Sequence, residues 1–500
     1  MKKLINNFSR VLCALMLCAG IAFTGCTDDP LGNDQSTEQG GSGNNGNDNN
    51  GESDDNAGVS GAMRWSLDKV TEVSATFTGT LAVAASDLPF SQVSVYYSDA
   101  ENFNINDANK VSTTAFDADQ RFSIIVAGLK PNVKYNYCLI AKVKSEETYG
   151  EVQSFTTTAG YINLSTTETA NCYIITESGP YKFKAVKGNS TTSVGSVASA
   201  SVLWESFGTS TAPGVGDLIK YVSYKDSFIV FQTADTFKEG NAVIAAKDAD
   251  GNILWSWHIW FTDQPQEQVY YNNAGTMMDR NLGATSATPG DVGALGLLYQ
   301  WGRKDPFLGS SRISSSTLAK STITWPSTVS SDSSNGTIAY ATSHPTTFIT
   351  YNDSNRDWYY TGKSLTDNTR WTTSNKTKSI YDPCPAGWRV PDGGRNGVWS
   401  KVKGSSSKFS HTYNSSNEGM NFSGVFGSAS TIWYPASGYR SFDDGGLGLV
   451  GDNGFYWSAS PSGYDASCLA FDDYNKGDVN PSNDSYHADG HPVRCLEESK

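Results

Sequence analysis

The 500-residue sequence has no surplus of positive charge. Its 37 Lys and Arg stand against 51 Asp and Glu, a net charge of −14. A nucleic-acid partner held by its phosphates needs a basic face, so that class is excluded. No apolar run is long enough to cross a bilayer, since the longest stretches only from Val11 to Phe23. G-x-S-x-G and H-E-x-x-H are missing, and with them the common marks of serine hydrolases and zinc proteases. No C-x-x-C pair occurs, so a structural zinc site is not expected. Thr361-Gly362-Lys363-Ser364 lacks the upstream glycine of a phosphate loop and is read as a chance match. Neither a metal nor a cofactor is expected, and the chain is read as a non-enzyme.

Cysteine is sparse, with eight residues. Cys13 and Cys18 fall in the apolar leader, and Cys26 follows it. Cys138, Cys172, Cys384, Cys468 and Cys495 remain, an odd number that leaves at least one thiol unpaired in an oxidising compartment. Aromatics make up 12% and hydrophobics 38%, enough for packed cores, and the length asks for about three domains.

Residues 1–25 read as a signal peptide: Lys2, Lys3 and Arg10 precede the apolar core. Phe23-Thr24-Gly25-Cys26 resembles a bacterial lipobox. The resemblance implies cleavage before Cys26 and lipidation of its thiol, so that lipid chains anchor the protein in the membrane. An ordinary secretion signal is the alternative. Thr27-Asp28-Asp29 is similar to the export signal of Bacteroidetes surface lipoproteins, which implies an outer-membrane, cell-surface location. Residues 26–60 form an acidic Gly/Asn tether with no apolar period, expected to be disordered.

The rest of the chain is expected to be multi-domain and mainly β: two sandwich-like modules, then an α+β domain. In residues 61–158 the sets Val73/Ala75/Phe77, Val93/Val95/Tyr97 and Phe122/Ile124/Val126 alternate, and Val133, Tyr135, Tyr137, Leu139, Ala141 and Val143 share one strand face. Tyr135 follows the turn Gly128-Leu129-Lys130-Pro131 as a tyrosine corner would. The module resembles a fibronectin type III domain, which implies a spacer, with Cys138 packed on the opposite strand face. Residues 159–265 carry strand patterns at Tyr173–Ile175, Tyr181–Phe183 and Phe228–Phe231, and an Asp250-Gly251 hairpin turn. The turn leads into Ile253–Phe261, apolar on both faces and so central in its sheet, with His258 expected as a core histidine. This module resembles segments that precede the C-terminal domain in related Bacteroides surface lipoproteins, and both modules are read as stalk.

Residues 266–498 contain, in order, Asn281-Leu282-Gly283-Ala284, Leu297-Leu298-Tyr299-Gln300-Trp301-Gly302-Arg303, Cys384-Pro385-Ala386-Gly387-Trp388-Arg389-Val390-Pro391, Gly454-Phe455-Tyr456-Trp457-Ser458 and Pro492-Val493-Arg494-Cys495. That ordered set resembles the Fibrobacter succinogenes major paralogous domain, related to the C-type-lectin and formylglycine-generating-enzyme folds. The resemblance implies a small twisted sheet with long loops, and a Cys384–Cys495 disulfide. The copper site of the formylglycine-generating relatives is not expected, because Cys468 has no partner cysteine at a matching position. The sugar-binding calcium motifs of C-type lectins are missing as well.

From about Gly438 to Cys495 the chain is rich in Gly, Asp, Asn, Ser and Tyr, with few apolar beats. That composition suits short strands and polar loops, and it is what a recognition surface uses. The other reading is a set of solvated loops around a small β core. The stretch is similar to the variable region of diversity-generating retroelement targets, in which Leu469, Phe471, Val479 and Val493 would hold the core. The candidate ligand-binding residues are Tyr439, Arg440, Phe442, Asp443, Asp444, Tyr464, Asp465, Ser467, Cys468, Ala470, Asp472, Asp473, Tyr474, Asn475, Asn483, Asp484, Tyr486, His487 and Asp489. Within them His487 and Asp489, with His491, are read as exposed loop residues. The function expected is that of a surface adhesin or receptor for an extracellular protein or glycan. A pilus-tip adhesin subunit and a glycan-processing enzyme are the alternatives.

Overall fold

The computed structural model describes residues 57–60, 63–158, 160–351, 356–361, 370–372, 377–403, 410–423, 432–472 and 478–498. Cys26, the tether up to residue 56, Gly362 to Ser364, and Asp473, Tyr474 and Asn475 lie outside the described residues; the tether's last four residues, Ala57–Ser60, are not disordered as expected but form a strand paired antiparallel with Met63–Val70. The fold is mainly β, and no described helix is long and apolar enough to cross a membrane.

Up to residue 158, two sheets face each other. One carries Ala57–Ser60, Met63–Val70, Ser74–Leu81 and Arg121–Ala127. The other carries Asn109–Thr113, Ser91–Ser98, Lys134–Val143 and Glu146–Tyr149, with Gln153–Thr156 also paired to Lys134–Val143. Along Arg121–Ala127 exposed and buried residues alternate without a break, which places Phe122, Ile124 and Val126 in the core with Phe77, Val93 and Val95. Tyr135 Oη accepts from Lys130 N at 3.0 Å, the contact of a tyrosine corner. Cys138 is buried, and its Sγ donates to the Gly150 carbonyl at 3.2 Å. Val73 falls one residue short of its strand and is exposed rather than in the core.

The next module is a second pair of sheets. One is ordered Ile162–Asn163, Pro180–Lys184, Phe228–Thr233 and Ile219–Lys225, the other Cys172–Ile175, Ile253–Phe261, Gly240–Lys247 and Ser199–Ser206. Gly251 makes the hairpin turn at φ +84, and Asp248 Oδ1 accepts from the amides of Asp250 and Asn252. The strand Ile253–Phe261 is central, and its two faces serve different cores. Trp255, Trp257, Ile259 and Phe261 fill the sandwich. Trp260 belongs to the core of the C-terminal region, its Nε1 donating to the Ala284 carbonyl at 2.9 Å. On the same outward side Ser256 Oγ donates to Asp305 at 2.6 Å, and Lys304 Nζ pairs with Asp305 at 2.6 Å while nearly fully buried. A strand apolar on both faces thus packs the module onto its C-terminal neighbour. His258 is a neutral core histidine, with Nε2 2.8 Å from Asn241 Oδ1 and burial lowering its pKa to about 3.

In the C-terminal region, Glu267–Tyr270, Gly275–Met278, Leu496–Glu497 and Trp388–Arg389 form one sheet, which joins the region's first and last strands. Cys384 and Cys495 are bonded beside it, Cα atoms 6.1 Å apart. The described helices are short, Ile338–Ser343 and Val398–Lys403. A three-stranded meander, Asn453–Ser462, Asp465–Asp472 and Val479–Ser485, divides two cores. Tyr456, Leu469 and Phe471 pack with Met420 and Tyr434, whereas Trp457, Ala466 and Cys468 pack with Tyr299, Trp301 and Val493. Its middle strand is thus covered on both faces.

Candidate functional site

Gly438 turns the chain at φ +61, where a Cβ would lie 2.1 Å from the Gly448 carbonyl oxygen, so only glycine fits. The short strand Tyr439–Arg440 follows. It pairs with Leu447–Gly448 and, through Arg440, with Gly490 of the strand Gly490–Pro492. The meander ends at Ser485, and residues 486–489 connect it to that strand. An open pocket of about 380 Å³ lies where the two sheets meet.

Four aromatic rings line it: Tyr439, Phe442, Phe455 and Tyr486. Phe442 and Tyr486 meet edge to face at 4.6 Å, as do Tyr439 and Phe455 at 5.7 Å. Asp484, Ser485, Asp489 and His491 supply the polar part, and Leu449 contributes an apolar side chain. Leu449 is 43% exposed with φ +55, an uncommon state for a branched residue. Asp489 is buried; Oδ1 accepts from Phe442 N at 3.0 Å and Oδ2 from Ser485 Oγ at 3.0 Å. Burial raises its pKa to about 7, against the opposing pull of those two donors. Ser485 Oγ lies 2.8 Å from His491 Nε2, and burial holds His491 neutral, its pKa lowered to about 3.

Five candidate residues converge on this pocket: Tyr439, Phe442, Asp484, Tyr486 and Asp489. Asp443 and Asp444 are exposed on the turn that follows Phe442. Tyr464 is exposed at the hairpin between the first two meander strands, and Asp465 beside it lies 3.6 Å from Arg356. Ala470, Asp472 and Asn483 are partly buried along the meander and do not line the pocket.

Several expectations are overturned. Ser467 and Cys468 are buried because their strand is sandwiched between two cores. Ser467 Oγ accepts from Gly394 N at 3.0 Å, and burial pushes the Cys468 thiol up to about 12. Arg440 turns inward, its guanidinium 5.1 Å from the Phe348 ring centre and 5.6 Å from that of Phe307. His487, Asp489 and His491 are all buried rather than exposed loop residues. His487 stacks on Trp301 at 4.3 Å with Nδ1 3.0 Å from Asp357 Oδ2, so it faces the interior. Among the described residues no group of three His, Cys, Asp or Glu is gathered for a metal.

Leu449, Phe455, Ser485 and His491 were missed. The signal for Phe455 was available, since alternation through Phe455-Tyr456-Trp457 separates it from Tyr456. A second open cavity, of about 410 Å³, is lined by Ser165, Thr166 and their polar neighbours and includes Lys378, whose Nζ donates to the carbonyls of Cys384, Pro385 and Trp388. Its lining has no aromatic anchor.

No protein-family model matches the chain, and no curated protein does. Among solved structures, the sensor domain of the anti-sigma factor RsgI4 from Pseudobacteroides cellulosolvens is 20% identical, covering 20% of this chain and 98% of its own, with a TM-score of 0.16. A computationally redesigned β-sandwich protein is 18% identical, covering 19% of this chain and 90% of its own, with a TM-score of 0.15. At such scores neither likeness carries a functional argument.

Proposed function

We propose that this chain is a lipid-anchored, cell-surface binding protein, an adhesin or receptor whose C-terminal domain takes an extracellular ligand in the pocket at Tyr439, Phe442 and Tyr486. One observation carries the reading: residues from three separate segments, 439–449, 455 and 484–491, meet at one concave, aromatic-lined opening. Its volume lies in the range of ligand sites, and aromatic anchors with a polar rim are what binding surfaces use. Attachment through Cys26 and export to the outer membrane are part of the proposal, resting on the lipobox-like Phe23–Cys26 and the acidic pair after it.

The test is a glycan and extracellular-protein array probed with the wild-type chain and with Tyr486→Ala. A ligand retained by the first and lost by the second supports the reading; an array without a specific signal refutes it. Cys26→Ser should release the protein from the membrane fraction. A pilus-tip location remains an outcome of labelling on intact cells. Glycan processing is a second reading, favoured by one observation: Asp484 and Asp489 share the pocket, and burial raises the pKa of Asp489 to about 7. Against it, both Asp489 oxygens already accept hydrogen bonds within the protein. Reducing-end release from array glycans would decide for the enzyme.

A further inference from the structure

Resting on the binding reading above, we propose that the pocket is a seat for a cationic side chain of a partner protein, a lysine ammonium or an arginine guanidinium. The walls are four rings, and ring faces attract cations. The carboxylates in the lining are Asp484, which is exposed, and Asp489, which lies deeper. Asp443 and Asp444 stand exposed on the adjoining turn. Among the described residues no lysine or arginine lines the pocket. Arg440 next to Tyr439 is turned inward over Phe307 and Phe348. Arg356 is matched by Asp465 at 3.6 Å. Among the described residues the opening therefore carries more negative than positive charge, between low-dielectric walls, which focuses the field on a cation.

The chain itself gives an example of the chemistry. The Arg356 guanidinium sits 4.6 Å from the centre of the Tyr486 ring, so that ring already holds one cation. His491 also lines the pocket, with Nε2 2.8 Å from Ser485 Oγ and Nδ1 buried. A bare divalent cation fits poorly. Calcium wants six or more oxygen ligands, and both Asp489 oxygens are engaged with N–H and O–H donors. An ammonium or guanidinium needs only one or two acceptors plus a ring face.

The test uses the mature chain and four capped pentapeptides, Gly-Gly-X-Gly-Gly with X as Lys, Arg, norleucine or Glu, titrated by saturation-transfer NMR. The Lys and Arg peptides should bind more tightly than norleucine, by roughly 2- to 30-fold. Added salt should weaken them, and the Glu peptide should not bind. Asp484→Asn, on an exposed side chain, and Tyr486→Ala should each remove much of the preference. Equal binding of all four peptides, or a Lys preference unchanged in both variants, overturns the proposal. An array ligand that is neutral or acidic and lost on Tyr486→Ala overturns the cation seat and leaves the binding reading standing. Loss of both the array signal and the peptide signal overturns the two together.

Discussion

Replacing Asp357 by Ala tests whether the pocket is held from behind by a buried Asp357–Arg370 ion pair and the neutral His487 against it. Arg370 grips Asp357 with two parallel hydrogen bonds, Nη1 to Oδ1 at 2.9 Å and Nη2 to Oδ2 at 2.7 Å. His487 Nδ1 adds a third contact at 3.0 Å. The side chains of Asp357 and His487 are fully buried, and that of Arg370 is 1% exposed. The guanidinium lies 4.8 Å from the Trp301 ring and 4.9 Å from that of Trp358. Removing the carboxylate takes from a buried cation its counter-charge and two hydrogen bonds, which should cost about 3–5 kcal/mol. Burial alone would raise the Asp357 pKa; Arg370 and His487 outweigh it and hold the carboxyl at about 2. A folded pKa below the unfolded one gives stability that is present above about pH 4 and is lost as pH falls toward 2, roughly 2 kcal/mol here. Urea unfolding of wild type and Asp357→Ala should therefore differ most at pH 7 and less at pH 2.5. Because His487 lies between Tyr486 and Asp489, amides 486–489 should also lose hydrogen-exchange protection. The double change Asp357→Leu with Arg370→Met should recover most of the loss. A single variant within about 1 kcal/mol of wild type at pH 7, with amides 486–489 still protected, would refute the reasoning.

Three further outcomes are expected. Removing the Cys384–Cys495 bond, which spans 111 residues, should destabilise the C-terminal region by up to about 4–5 kcal/mol on the loop-entropy model, seen as a lower urea midpoint for the double Ser variant. The thiols of Cys138, Cys172 and Cys468 are buried and raised by desolvation, so none should react with Ellman's reagent at pH 8 until the chain is unfolded; rapid labelling of native protein would contradict the packing. Lys-peptide affinity should rise from pH 6 to pH 8. Asp489 ionises near 7 while facing Asp443, the Ser485 hydroxyl, the Phe442 amide and neutral His491, and a bound cation favours its charged form; Asp489→Asn should flatten that profile.

The sheets were legible where one face met solvent. In Arg121–Ala127 every second residue, Phe122, Ile124 and Val126, points inward, and Arg121 and Ser123 point outward with the apolar Ile125, so period two gives both strand and core. The packing of the second module onto its neighbour was half legible: Ile253–Phe261 is apolar on both faces, but sequence does not say that the outer face meets Ala284 and Lys304. The site was legible as a composition and not as a geometry. Tyr486 and His487 are adjacent and equally polar in pattern, yet one lines the pocket and the other stacks on Trp301. Asp357, Arg370 and Trp301 decide that difference, and they come from far away in the chain.

The same division bears on which positions of the C-terminal stretch can vary. A surface that changes its ligand without unfolding needs its variable side chains outside the cores. Tyr464, Asp484 and Tyr486 meet that condition, as do Asp443 and Asp444. Ser467, Cys468 and His487 do not. Cys468 sits at 0% exposure in one core with Trp457, and its Sγ accepts from Asn483 Nδ2 at 3.7 Å. A tyrosine there would have to displace packed neighbours, at a cost of about 1–3 kcal/mol or more. At His487 any acidic replacement would face Asp357 across 3.0 Å of protein interior. Diversification spread evenly over the stretch would thus damage the fold that presents the pocket. Diversification confined to the exposed positions would alter the rim and leave both cores, the disulfide and the Asp357–Arg370 pair intact.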